Sequence, residues 1–82
     1  MSARACVLMG VDNIRVREAA STLRNVHGVK MVDMLEDSPN LMLIVQARNR
    51  QRLAEITNEA LASVESMTEN IQLLPVQGNR GI

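Results

Sequence analysis

The sequence predicts an α+β sandwich of order β-α-β-β-α-β, and three observations carry the prediction. Two apolar runs without a breaker stand at residues 5–11 (ACVLMGV) and 41–47 (LMLIVQA). Two stretches with helical spacing follow these runs, one after each. Two further strand-like runs, 29–36 and 68–76, have mixed patterning. A strand that is apolar at nearly every position is covered on both faces, so the first and third strands belong in the middle of the sheet. The mixed runs belong at its edges.

The first strand is the run 5–11. Asp12 and Asn13 are both suited to cap a helix, although neither has Glu or Gln three places on. Val16, Ala19, Ala20, Leu23 and Val26 then recur at helical spacing, with Arg15, Arg17, Glu18, Ser21, Thr22 and Arg24 on the opposite side. This is one buried stripe. His27 and Gly28 end the helix, with Gly28 placed to take the left-handed conformation after its C-terminus. Residues 29–36 form the second strand, and Asp37, Ser38, Pro39 and Asn40 turn the chain back into the run 41–47.

Asn49 caps a second helix whose stripe is Leu53, Ile56, Ala60, Leu61 and Val64. In the fourth strand Ile71 and Leu73 share one face, and Asn70 and Gln72 the other. Pro75 cannot donate to a ladder, which puts this strand at an edge. Residues 77–82 read as a frayed polar tail. The two halves repeat a strand-helix-strand plan, which is the split βαβ or ferredoxin-like arrangement, with right-handed crossovers. Leu8, Leu23, Leu43, Val45, Leu53 and Ile56 are the expected core between sheet and helices. The other sheet face is expected to carry Val7, Met9 and Val11 with Met42 and Ile44. An exposed apolar face of that size marks an interaction site.

Composition limits the function. At 82 residues the chain is one domain with a modest core, ordered over about 4–76. Nine Lys and Arg balance nine Asp and Glu. Nucleic-acid binders carry a basic excess because phosphate neutralisation supplies most of their affinity, so no direct DNA or RNA partner is expected. No apolar segment approaches the length of a membrane span, and the short apolar run after the N-terminus does not make a signal peptide, so a cytoplasmic, membrane-free protein is expected. The single Cys6 lies in a strand run with no basic neighbour and reads as a reduced, inert thiol. His27 has no second ligand near it. Glu36 and Asp37 are adjacent on a turn and not arranged as an acid/base pair. With no glycine-rich phosphate loop, cysteine pair or Ser/His/Asp set, no catalytic residue, metal or cofactor is expected.

Arg48, Arg50 and Arg52 bracket the start of the second helix, where cations oppose the helix dipole. They read either as a solvated face or as part of an anion site. The chain has no aromatic residue but six methionines, four of them in expected strands (Met9, Met31, Met34, Met42). Thioether side chains fill irregular cores and also suit adaptable binding faces.

Residues 5–11 resemble the "A-aromatic-V-L" opening of the effector-binding domain of leucine-responsive/asparagine-type (Lrp/AsnC) regulators, the RAM module. The spacing through Val29, Lys30, Met31 and Val32, the turn, the third strand, the second helix and Ser66-Met67-Thr68 is similar in length. The resemblance spans nearly the whole chain and rests on hydrophobic patterning. It implies a non-enzymatic module that forms homodimers or higher homo-oligomers through its sheet face. It also implies a module without a helix-turn-helix, which binds an amino-acid-like effector and acts on transcription through partners.

The family's turn typically reads Gly-x-Tyr/His-Asp, where this chain has Asp37, Ser38, Pro39 and Asn40. The implied ligand site is Asp37, Ser38 and Asn40, meeting Thr68 and Asn70 at the fourth-strand start of a neighbouring subunit. These turn residues also suit turn geometry on local grounds alone. A second resemblance is to the NapD-type cytosolic chaperones of twin-arginine signal peptides, carried by Ser38-Pro39-Asn40-Leu41-Met42-Leu43-Ile44-Val45. It implies instead a signal peptide as the partner held on the sheet face.

Overall fold

The computed structural model describes residues 2–76, and the expected tail at 77–82 lies outside the described residues. Four strands, β1 (Ala3–Val11), β2 (Val29–Met34), β3 (Leu41–Ala47) and β4 (Thr68–Val76), form one sheet in the order β2-β3-β1-β4. All neighbours are antiparallel. The two most apolar runs are the central strands, and the patterned ones are the edges. Helices α1 (Val16–Arg24) and α2 (Arg50–Ser63) complete the ferredoxin-like arrangement.

The caps act where the sequence places them. The Asp12 carboxylate accepts from the Ile14 N–H at 3.1 Å and starts a 3₁₀ turn (Asn13–Arg15) that leads into α1. The Asn49 side chain accepts from the Arg52 N–H at 2.8 Å, relieving one of the unpaired donors at the start of α2. Helix α1 ends earlier than its apolar stripe suggests. After Arg24 the chain tightens into 3₁₀-type bonds, Asn25 N–H to Thr22 O and Val26 N–H to Leu23 O. Gly28 therefore stands a few residues beyond the helix, yet it does take a positive φ of 102°. A Cβ there would lie 2.6 Å from the Ile56 Cδ1, so Gly28 also lets the Ile56 side chain of α2 pack directly on the entry to β2.

The core lies between the helices and one sheet face. Val7, Met9 and Val11 from β1, Val32 from β2, and Leu41, Leu43 and Val45 from β3 meet Ala19, Ala20 and Leu23 of α1 and Ile56 and Ala60 of α2. Val64 and Met67 close its end, and Leu53 packs against it partly buried. Helix α1 rests mainly on β2, and α2 on β3 and β1.

The expected division of β1 between the two faces is reversed. Val7 pairs with Leu43 and Met9 with Leu41, so Val7, Met9 and Val11 face the helices and are buried. Leu8, expected in the core, pairs with Met42 and points to the opposite face. A strand that is apolar on both sides gives no parity of its own. Its facing is set by its register with β3, and that register is long-range.

Candidate functional site

The helix-free face is built from the even-numbered residues of the two central strands. Cys6 lies opposite Ile44 and Leu8 opposite Met42. All four are partly buried in the isolated chain. Met31 extends this apolar surface through its pairing with Ile44, and Leu74 through its pairing with Cys6. Its polar border includes Arg4, whose Nη2 donates to Gln46 Oε1 at 3.3 Å, and Asp33 opposite Met42. Met42 and Ile44 thus stand where the sequence places them. Their companions are Cys6 and Leu8, and not Val7, Met9 and Val11. The missed signal was Arg4 paired with Gln46, which marks the even positions of both strands as the less covered side.

The residues expected to hold a ligand divide into two groups. Asn40 is only 7% exposed and its side chain bonds to β1. Its Oδ1 accepts from the Val11 N–H at 2.8 Å, and its Nδ2 donates to the Val11 carbonyl at 2.8 Å. Its backbone N–H donates to the Met9 carbonyl at 3.0 Å, and its own carbonyl accepts from Leu35 N–H at 2.9 Å. The side chain therefore extends the β1–β3 ladder past the start of β3. It serves Val11, a buried residue whose polar backbone groups would otherwise lack these partners. Asn40 is a clasp in the sheet, its side chain held by the backbone of Val11.

Thr68 lies opposite Val11 and Asn70 opposite Gly10, on the far side of β1 from Asn40. The two halves of the expected site therefore flank the same end of β1 within one subunit. The Thr68 hydroxyl donates to the Val64 carbonyl at 2.8 Å and helps to close the end of α2. Asn70 is exposed and its carboxamide sits against Gly10, where a Cβ would come within 2.7 Å of it. The absent side chain at Gly10 makes that close seat possible. Asp37 and Ser38 are exposed in the bend before Asn40.

An open depression of about 380 Å³ adjoins Thr68 and Asn70, bordered also by Leu61, Ala62, Glu65, Glu69 and Ile71. Asp37, Ser38 and Asn40 do not line it. A second depression, about 330 Å³, adjoins the start of α2 at Arg48, Asn49, Gln51, Arg52 and Glu55. There Arg52 Nη1 already pairs with Glu55 Oε1 at 2.9 Å. Among the described residues no three His, Cys, Asp or Glu side chains gather as a metal site would require. No helix among them is long and apolar enough to cross a membrane.

No family profile and no curated protein sequence matches the chain, so its relationships rest on three-dimensional form. It superimposes on TTHA0845 from Thermus thermophilus with a TM-score of 0.81 and 18% identity, covering 98% of this chain and 99% of that one. The hypothetical protein PHS023 from Pyrococcus horikoshii gives 0.82 and 16%, covering 96% and 93%. The transcriptional regulatory protein PF0864 from Pyrococcus furiosus, described as a member of the AsnC family, gives 0.71 and 19%. That match covers 96% of this chain and 53% of the regulator. The chain spans about half the length of the longer solved chains it matches, and nearly all of the shorter ones. In architecture, strand order and extent, the chain has an Lrp/AsnC-like, RAM-type fold.

Proposed function

We propose that this chain is a non-enzymatic, regulator-type binding module. It associates with copies of itself through the helix-free sheet face, responds to an amino-acid-like molecule, and acts on transcription through partner proteins. The observation that carries the reading is the contiguous surface of Cys6, Leu8, Met42 and Ile44, on a face that no helix among the described residues covers. Burying apolar area at about 25 cal/mol per Å² favours covering such a surface. A two-fold contact covers it with the chain's own copy, since an isologous interface uses one patch twice. The fold shared with an AsnC-family transcriptional regulator supports the regulatory setting.

The ligand contacts in this reading are Asp37, Ser38, Thr68 and Asn70, with Asn40 holding the sheet end between them. The exposed acceptors of Asp37 and Ser38 suit an ammonium group, and the Asn70 carboxamide suits the carboxylate of the same zwitterion.

Light scattering at micromolar concentration tests the association. The wild type is expected at a multiple of the monomer mass, and Met42→Lys is expected to release smaller species because it places a charged side chain at the centre of an apolar contact. A wild-type monomer that captures a twin-arginine peptide would overturn this reading in favour of a peptide chaperone. Calorimetric titration with the common amino acids tests the ligand. Saturable binding that is lost in Asn70→Ala is expected, and silence from every amino acid would remove the ligand from the proposal.

A further inference from the structure

The two edges of the sheet are treated differently. In an antiparallel ladder, alternate residues direct both backbone groups to the same neighbour. On β1 the Met9 carbonyl and both Val11 groups bond to Asn40 on the β3 side, so odd residues face β3 and even residues face β4. The β4 partners of even β1 residues are Asn70, Gln72 and Leu74. Their backbone groups therefore point inward, and those of Ile71 and Leu73 point to the outer edge.

By the same alternation, Val32 of β2 directs its backbone groups outward. There the Arg24 Nη2 donates to the Val32 carbonyl at 3.3 Å, and Lys30 and Asp33 add charge. That edge is guarded in the ways that keep strands from pairing. The stretch 70–74 of β4 has no charged residue. Among the described residues no strand pairs with its outer side.

The side chains on β4 reinforce the asymmetry. Ile71 pairs with Met9 and Leu73 with Val7, so both lie on the helix side of the sheet. The helices rest chiefly on β2, β3 and β1, and β4 projects past them. Ile71 is therefore 45% exposed and Leu73 53%, although their β1 partners are fully buried.

We infer that the outer edge of β4 pairs antiparallel with β4 of a second copy of this chain, about a two-fold axis at Gln72. This is an interface separate from the helix-free face. The register is self-complementary. With Gln72 opposite its own copy, Ile71 of each chain stands opposite Leu73 of the other. Both are outward-facing residues, so each pair exchanges two backbone hydrogen bonds, and their side chains meet on the helix side. The partner's leucine then covers Ile71 beside the depression bordered by Leu61 and Thr68. Asn70 falls opposite Leu74, and no like charges oppose one another. In this register Pro75, which has no N–H to give, meets only Glu69 at the ends of the ladder, whereas centring the axis on Leu73 would set Ile71 against it and centring on Ile71 would set Glu69 against Leu73.

The test isolates this edge from the face proposed above by working in the Met42→Lys background, where the face contact is broken. Leu73→Pro removes an outward N–H and leaves the inward ladder to β1 intact. It is expected to halve the mass of the assembly that remains while circular dichroism stays that of the parent. An unchanged mass with an unchanged spectrum overturns the edge pairing. Amide exchange on the chain with an unaltered edge decides the matter even where the proline variant fails to fold. The Ile71 and Leu73 amides are expected to be protected at high concentration and to exchange faster on dilution. Fast exchange of both at every concentration overturns the inference. Should Met42→Lys itself leave the wild-type mass unaltered, the face reading fails and the edge still stands or falls on these two amides.

Discussion

Asn40 shows how one side chain can hold an end of the sheet. It pairs with both backbone groups of Val11 across 29 residues of sequence. Asn40→Ala leaves a buried donor and a buried acceptor without partners, each at a cost of about 1–3 kcal/mol. Urea denaturation should show a loss of at least about 2 kcal/mol, and a loss below about 0.5 kcal/mol would mean that water replaces the clasp. The sequence shows Asn40 only as one of four turn-forming residues, because the contact that defines its role is not local. Gly28 was more legible. Its place after a helical stripe implied a positive φ, which the structure has, although α1 stops sooner than the stripe. Gly28→Ala should destabilise by about 1–2 kcal/mol from the left-handed backbone alone, before the contact with Ile56 adds to it.

At the level of elements, strand order followed from composition and strand facing did not. The uniformly apolar β1 and β3 belong in the centre and the patterned β2 and β4 at the edges, as the topology has them. In β4, alternation also placed Ile71 and Leu73 together, as the register does. In β1 no alternation exists, and Leu8 and Val7 look alike until their partners on β3 are known. The distinction is measurable. Leu43→Ala truncates a fully buried core residue and should cost about 2–5 kcal/mol in the isolated chain. Leu8→Ala, made in the Met42→Lys background so that the face contact is already absent, should cost clearly less. Equal losses from the two would contradict the assigned facing.

For the whole molecule, the electrostatics and the uncovered surface lead to separate expectations. Lys and Arg balance Asp and Glu, so there is no net positive charge to release counterions from a phosphate backbone. The chain alone should give no tight, salt-sensitive gel shift with duplex DNA, and such a shift would contradict action through partners. On the side of the sheet away from the helices, four partly buried apolar residues have no covering layer among the described residues, and in the proposed assembly a second copy supplies it.

Cys6 lies within that surface, opposite Ile44, and is the chain's only thiol. The rate at which it reacts with a thiol reagent therefore reports directly on whether the face is covered. With a second copy on the face, Cys6 should react slowly at high protein concentration, faster on dilution, and fast at all concentrations in Met42→Lys. A wild-type rate that stays constant from nanomolar to high micromolar concentration would contradict self-association through this face.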